Sequence, residues 1–92
     1  MSWKVITKKS ILKSAKSMPM HEQKRFAMLL QDLANKGPVL ENWSNYGILA
    51  GTQTHHCHLS FRWVACWIET QAGIEVEVTY VGSRGSAPYA KH

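Results

Sequence analysis

The chain is poor in several things that specific chemistries require. Of its 92 residues only two are cysteine, Cys57 and Cys66, and they do not form a CxxC pair. Both sit in apolar runs, which suits reduced thiols and argues against a disulfide framework. Aspartate occurs once, at Asp32, and all acidic residues number six. A nuclease that holds magnesium on clustered carboxylates therefore lacks its ligands. There is no glycine-rich phosphate loop, GxSxG elbow, HExxH pair or dinucleotide fingerprint, which removes support for nucleotide-dependent, serine-hydrolase and zinc-protease readings. No run approaches the roughly 18–20 apolar residues of a membrane span, and the opening Met1-Ser2-Trp3-Lys4 lacks the apolar stretch of a signal peptide. The expected compartment is the cytoplasm, with no membrane partner.

What is present is a small, basic, foldable composition. Hydrophobic residues make up 45% and charged residues 18%, enough for one core, so residues 1–92 are expected to form a single domain. Eleven Lys and Arg against six Asp and Glu give a formal charge of +5, which favours a polyanionic partner. Lys4, Lys8, Lys9, Lys13 and Lys16 precede every acidic residue in the chain. Lys8, Lys9, Lys13 and Lys16 are thus candidate contacts to RNA phosphates, although such a stripe also serves simply to keep a small protein soluble.

Periodicity divides the chain cleanly. Residues 3–7 are β-branched and aromatic and predict a first strand. Ile11, Leu12, Ala15 and Met18 recur at helical spacing over 8–18, where Pro19 interrupts. Phe26, Leu29, Leu30 and Leu33 form the stripe of a second helix over 20–35, ended by Lys36-Gly37-Pro38. The short break predicts an antiparallel helical hairpin. Residues 38–53 read as a loop with apolar anchors. Strands are expected over 54–59 and 62–70, and a third, after a turn at 70–73, in which Ile74, Val76, Val78 and Tyr80 share the buried face. The resulting class is α+β: an N-terminal strand, a helical hairpin and a three-stranded antiparallel meander, forming one sheet with both helices on one face and the other face open.

Three of the five histidines fall within four positions, at His55, His56 and His58. On a strand His56 and His58 share a face, opposite Cys57 and Leu59. Two imidazoles on an open face suit a general base and a general acid near neutral pH. A zinc site would need further ligands at finger-like spacing, which the chain does not offer, so neither a metal nor another cofactor is expected. Half-exposed histidines hydrogen-bonded across the sheet are the plain structural alternative. Arg62 and Arg84 flank the histidine strand, and a guanidinium fork fits phosphate oxygens, though a turn arginine is often only solvated. Tyr89, after Pro88, would either pin the tail or stack on a base.

Together these features resemble the RelE/ParE toxin superfamily of bacterial toxin–antitoxin systems, and its RelE-type ribonucleases in particular. The resemblance rests on Trp3-Lys4-Val5-Ile6, the hairpin broken at Met18-Pro19, and the loop Asn42-Trp43-Ser44-Asn45-Tyr46. It continues through the strands around His56-Cys57-His58-Leu59 and Trp63-Val64-Ala65-Cys66-Trp67 to the ending Tyr80-Val81-Gly82-Ser83-Arg84 with Pro88-Tyr89. It covers nearly the whole chain and implies a RelE-like fold. It further implies a metal-independent, ribosome-dependent endoribonuclease that cleaves messenger RNA, with catalytic roles falling on His56, His58, Arg62, Arg84 and Tyr89. The partners implied are an antitoxin protein, the ribosome and mRNA, with Trp3, Trp43 and Tyr46 as candidates for an apolar antitoxin surface. The same superfamily offers two other readings: a ParE-type inhibitor of DNA gyrase, which needs no catalytic residues, and an inactive interaction module.

Overall fold

A computed structural model describes residues 2–89. Strand β1 (Lys4–Ile6) leads into helices α1 (Lys9–Lys16) and α2 (Met20–Lys36), followed by β2 (Gly47–Ile48), β3 (His55–His58), β4 (Trp63–Glu69) and β5 (Glu75–Ser83), with a short 3₁₀ turn over Arg84–Ser86. The five strands form one sheet in the order β1-β5-β4-β3-β2. Four strands follow the helices where three were expected, because the 38–53 loop adds two residues as β2 along β3. The pairs β3/β4 and β4/β5 form the anticipated antiparallel meander, whereas β1 joins β5 in parallel.

Both helices bury their apolar stripes on one face of this sheet. Ile11 and Ala15 from α1, and Phe26, Leu29 and Leu33 from α2, share a single cluster with Cys57, Ala65, Trp67, Val76, Val78 and Val81. Pro19 breaks the hairpin, and the Gln23 side chain spans the break by donating to the carbonyls of Lys16 and Met18. This satisfies carbonyls that the end of α1 leaves without helical partners. Gly37 ends α2 with φ +86°, and a Cβ there would sit 2.6 Å from the Trp3 ring. Only glycine meets both demands.

Three sequence expectations require correction. A bulge in β5 pairs Tyr80 with Cys66 and Val78 with Trp67, leaving Thr79 without a partner across the ladder. The extra residue reverses the alternation, so Val81 joins the core and Tyr80 turns to the open face. Ile74 is not part of that strand's buried face; it lies in the turn with φ +52° and is exposed. Finally, Trp43 is buried in the core and is not an exposed partner surface, while Trp3 and Tyr46 pack against that core and are only partly buried. Trp43 Nε1 donates to Asp32 at 2.8 Å, and Tyr46 stacks on Trp67.

Candidate functional site at the β3–β4 turn

The alternation along β3 separates its histidines by role. His55 points into the covered side, where its ring forms a three-membered cluster with those of Tyr46 and Trp67 and its Nδ1 lies 2.7 Å from Tyr46 Oη. Burial holds its imidazole below the ordinary histidine range, against a weaker upward pull from Glu69. His55 is therefore a structural histidine. His56 and His58 stand on the opposite, open face, as the strand period requires.

His56 is oriented by its neighbour strand. Its Nδ1 lies 2.9 Å from the carbonyl of Gly47, an acceptor only, so Nδ1 carries the proton and donates. The lone pair of the neutral ring is thereby placed on Nε2. Gly47 is the register partner of His56, and a Cβ at that position would come within 3.3 Å of the imidazole. Tyr89 packs against the same ring edge-on, with centroids 5.0 Å apart. The tail after β5 therefore doubles back over the open face, and Cys66 and Val64 are fully buried where it returns. Burial pushes the Tyr89 hydroxyl up to about 12, so it stays an O–H donor at any physiological pH. Its oxygen is buried and has no hydrogen-bond partner among the described residues.

His58 lies nearer the turn. Burial is the first cause holding its imidazole below the ordinary range, and the charges of Arg84 and His56 add to it. It is consequently neutral at pH 7 and able to accept a proton. Arg84 opens the 3₁₀ turn, its N–H donates to the Arg62 carbonyl at 2.6 Å, and its guanidinium lies 4.7 Å from the centre of the Phe61 ring. Arg62 enters the same neighbourhood through its backbone, while its side chain is exposed.

The structure thus brings His56, His58, Arg84 and Tyr89 together at one end of the open face, with Arg62 at the rim. It does not bring the lysines there. Lys9, Lys13 and Lys16 are exposed on α1, in the helical layer across the sheet, and Lys8 pairs with Glu77 at 3.3 Å.

Sequence reasoning missed Arg25. Its Nε donates to the Leu59 carbonyl at 3.3 Å, and its guanidinium lies 4.8 Å from the Trp43 ring centre. All three arginines of the chain therefore converge on the turn between β3 and β4. In sequence Arg25 reads as one more polar position on an amphipathic helix, and nothing local marks it. His21 was missed for the same reason; with Arg25 and His58 it lines an open cleft of about 550 Å³. Among the described residues no three His, Cys, Asp or Glu side chains converge as metal ligands, and no helix is long and apolar enough to cross a membrane. Cys57 and Cys66 are both free and buried, on opposite faces of the sheet, with burial pushing their thiols up to about 12 and about 11.

No protein-family model matches the sequence. No curated protein matches it either. The structure does find a likeness: it superposes with a TM-score of 0.76 on a chain from the crystal structure of the archaeal RelE–RelB complex from Pyrococcus horikoshii OT3, at 20% identity, covering 95% of this chain and 100% of that one. The strand, helical hairpin and sheet described above are accordingly those of a RelE-like fold.

Proposed function

We propose that the protein is the toxin of a toxin–antitoxin pair and a metal-independent endoribonuclease acting on messenger RNA in the ribosome. The observation that carries this reading is the convergence of two differently prepared imidazoles and a guanidinium on the open face of a RelE-like fold. His58, neutral at pH 7, is suited to take the proton from a ribose 2′-hydroxyl. Arg84 is suited to hold the negative charge that builds on the phosphoryl oxygens during attack on the adjacent phosphate. With Nδ1 committed to the Gly47 carbonyl, His56 would act through Nε2, giving the proton of its imidazolium form to the departing 5′-oxygen, while Tyr89 keeps its proton and offers a further donor. Arg62, at the rim, would contact the RNA backbone. The lysines of α1 lie on the other layer and would meet ribosomal RNA and not the cleaved strand. The compartment is then the cytoplasm, and the partner that restrains the toxin is an antitoxin, as the pairing of RelE with RelB in the structural neighbour suggests.

The test is to induce the protein alone in bacteria and follow labelled methionine and thymidine incorporation over minutes. Messenger cleavage stops methionine incorporation first. Prior loss of thymidine incorporation would instead mean a gyrase inhibitor, and no effect on either an inactive module. In the ribonuclease case, primer extension on a messenger should show new 5′ ends. These should fall by roughly 10²–10⁴-fold in His58→Ala, the range for loss of a general base or acid, and comparably in Arg84→Gln.

A further inference from the structure

Phe61 stands at the tip of the β3–β4 turn and is 71% exposed, the most exposed of the large apolar side chains among the described residues. It is not stray apolar surface in a polar setting, because it forms a wall shared by two concavities. On one side is the 550 Å³ cleft with His21, Arg25 and His58, where Asn45 and Ser60 supply an amide and a hydroxyl. On the other is a cleft of about 330 Å³ that holds Arg62 and Arg84. Both volumes lie in the range of small-ligand pockets. One face of the Phe61 ring is engaged by the Arg84 guanidinium. This cation–π contact fixes the ring while leaving its other face to be covered.

The surrounding charge decides what covers it. Arg25 spends one of its five donors on the Leu59 carbonyl, so the rest of the fork is available to a phosphate. Glu22, a buried carboxylate beside the cleft, lies 3.4 Å from His21 Nδ1, and the Ser60 hydroxyl holds it below the ordinary carboxyl range. It is engaged in holding the cleft wall. An aromatic face between guanidinium groups on either side is the arrangement that binds single-stranded nucleic acid, with the base on the ring and the backbone on the cations.

Building on the ribonuclease reading, we propose that Phe61 is a base-stacking platform and that the cleft of Arg25 and His21 takes the phosphate of the neighbouring nucleotide, so that the strand is threaded past His58 from one cleft to the other. This assigns a positioning role to residues outside the catalytic group, with single-stranded RNA as the ligand.

The experiment uses ribosomes programmed with a messenger that carries 2-aminopurine in the vacant codon and 2′-O-methyl groups that block cleavage. Wild-type protein should bind and quench the 2-aminopurine. Phe61→Leu should bind roughly 5- to 150-fold more weakly, the range for loss of one base–aromatic stack, and should lose the quench. Phe61→Trp should retain both. Arg25→Gln should weaken binding and flatten its salt dependence. Phe61 is exposed enough that none of its variants should alter folding, which far-ultraviolet circular dichroism checks. Unchanged affinity and quenching in Phe61→Leu would overturn the inference and leave the ribonuclease reading standing. Failure of the wild-type protein to bind programmed ribosomes would overturn both.

Discussion

His55 and His56 are adjacent in the chain and opposite in duty. One lies in a ring stack under the helices, and the other is tied by Nδ1 to a backbone carbonyl on the open face. The buried one links stability to pH. Because burial lowers its pKa, the unfolded chain binds a proton more readily than the folded one. Stability is complete above the unfolded value, about 6.5, and is lost as pH falls below it toward the folded value. His58, lowered for a similar reason, adds to the same slope. The urea midpoint should therefore fall between pH 7.5 and pH 5, and His55→Phe should make that fall shallower. An equally steep fall in His55→Phe would assign the slope to other groups. The sequence showed which histidines share a face, since a period of two is rigid. It did not show that Gly47 would orient His56, because that contact depends on a two-residue strand too short to have a pattern of its own.

Among the elements, β5 departs most from its sequence. Val76, Val78 and Tyr80 look like one face of an unbroken strand, yet Thr79 is an inserted residue that moves Tyr80 to the open side and Val81 to the core. The cue is weak: Val81-Gly82-Ser83 continues the strand with either phase, and only the register against β4 decides between them. Tyr80 then donates to the Ser83 carbonyl at 2.7 Å, shaping the exit toward Arg84. Deleting Thr79 should remove the bulge and make Val78 and Tyr80 consecutive partners of Trp67 and Cys66, leaving Tyr80 on the open face and Val81 in the core, so the variant should still unfold cooperatively. Thr79→Ser, which keeps the residue count, should shift the urea midpoint by no more than a typical exposed substitution, about 0.5 kcal/mol. A deletion variant that fails to fold would mean that the local bend of the bulge, and not only the facing of the side chains, is required. The helices, by contrast, were legible to within a turn, because Pro19 and Gly37 mark their limits with residues that can do little else.

Across the whole molecule the positive charge divides into two regions of different kind. Three arginines meet at the β3–β4 turn, while Lys9, Lys13 and Lys16 are spread over the helical layer. Arginine offers a fixed fork for a particular phosphate, and lysine a mobile, strongly hydrated charge for a field of them. Replacing Lys9, Lys13 and Lys16 by Gln should therefore reduce the salt dependence of ribosome association, with a loss of slope of roughly 0.7–0.9 per phosphate contact. It should leave the cleavage rate of the bound complex as it was. A slower rate in the bound complex would place these lysines on the cleaved strand. Composition alone indicated a polyanion partner. Only the folded chain separates the two regions, because Arg25 reaches the turn from a helix whose sequence looks merely amphipathic.

The parallel pairing of β1 with β5 has a consequence in time. β1 is an edge strand whose only sheet neighbour is β5, and Lys4 aligns with Glu75 about seventy residues later. While the chain is being synthesised, its first strand has nowhere to dock until its last strand has emerged, and Arg84 and Tyr89 follow later still. Long-range closure of this kind is slow compared with helix formation. The ribosome that makes the protein therefore carries a nascent chain whose site is still unassembled. If the protein acts on ribosomes, the delay spares the one that produces it, and it leaves an interval in which an antitoxin already present can meet the chain before the site closes.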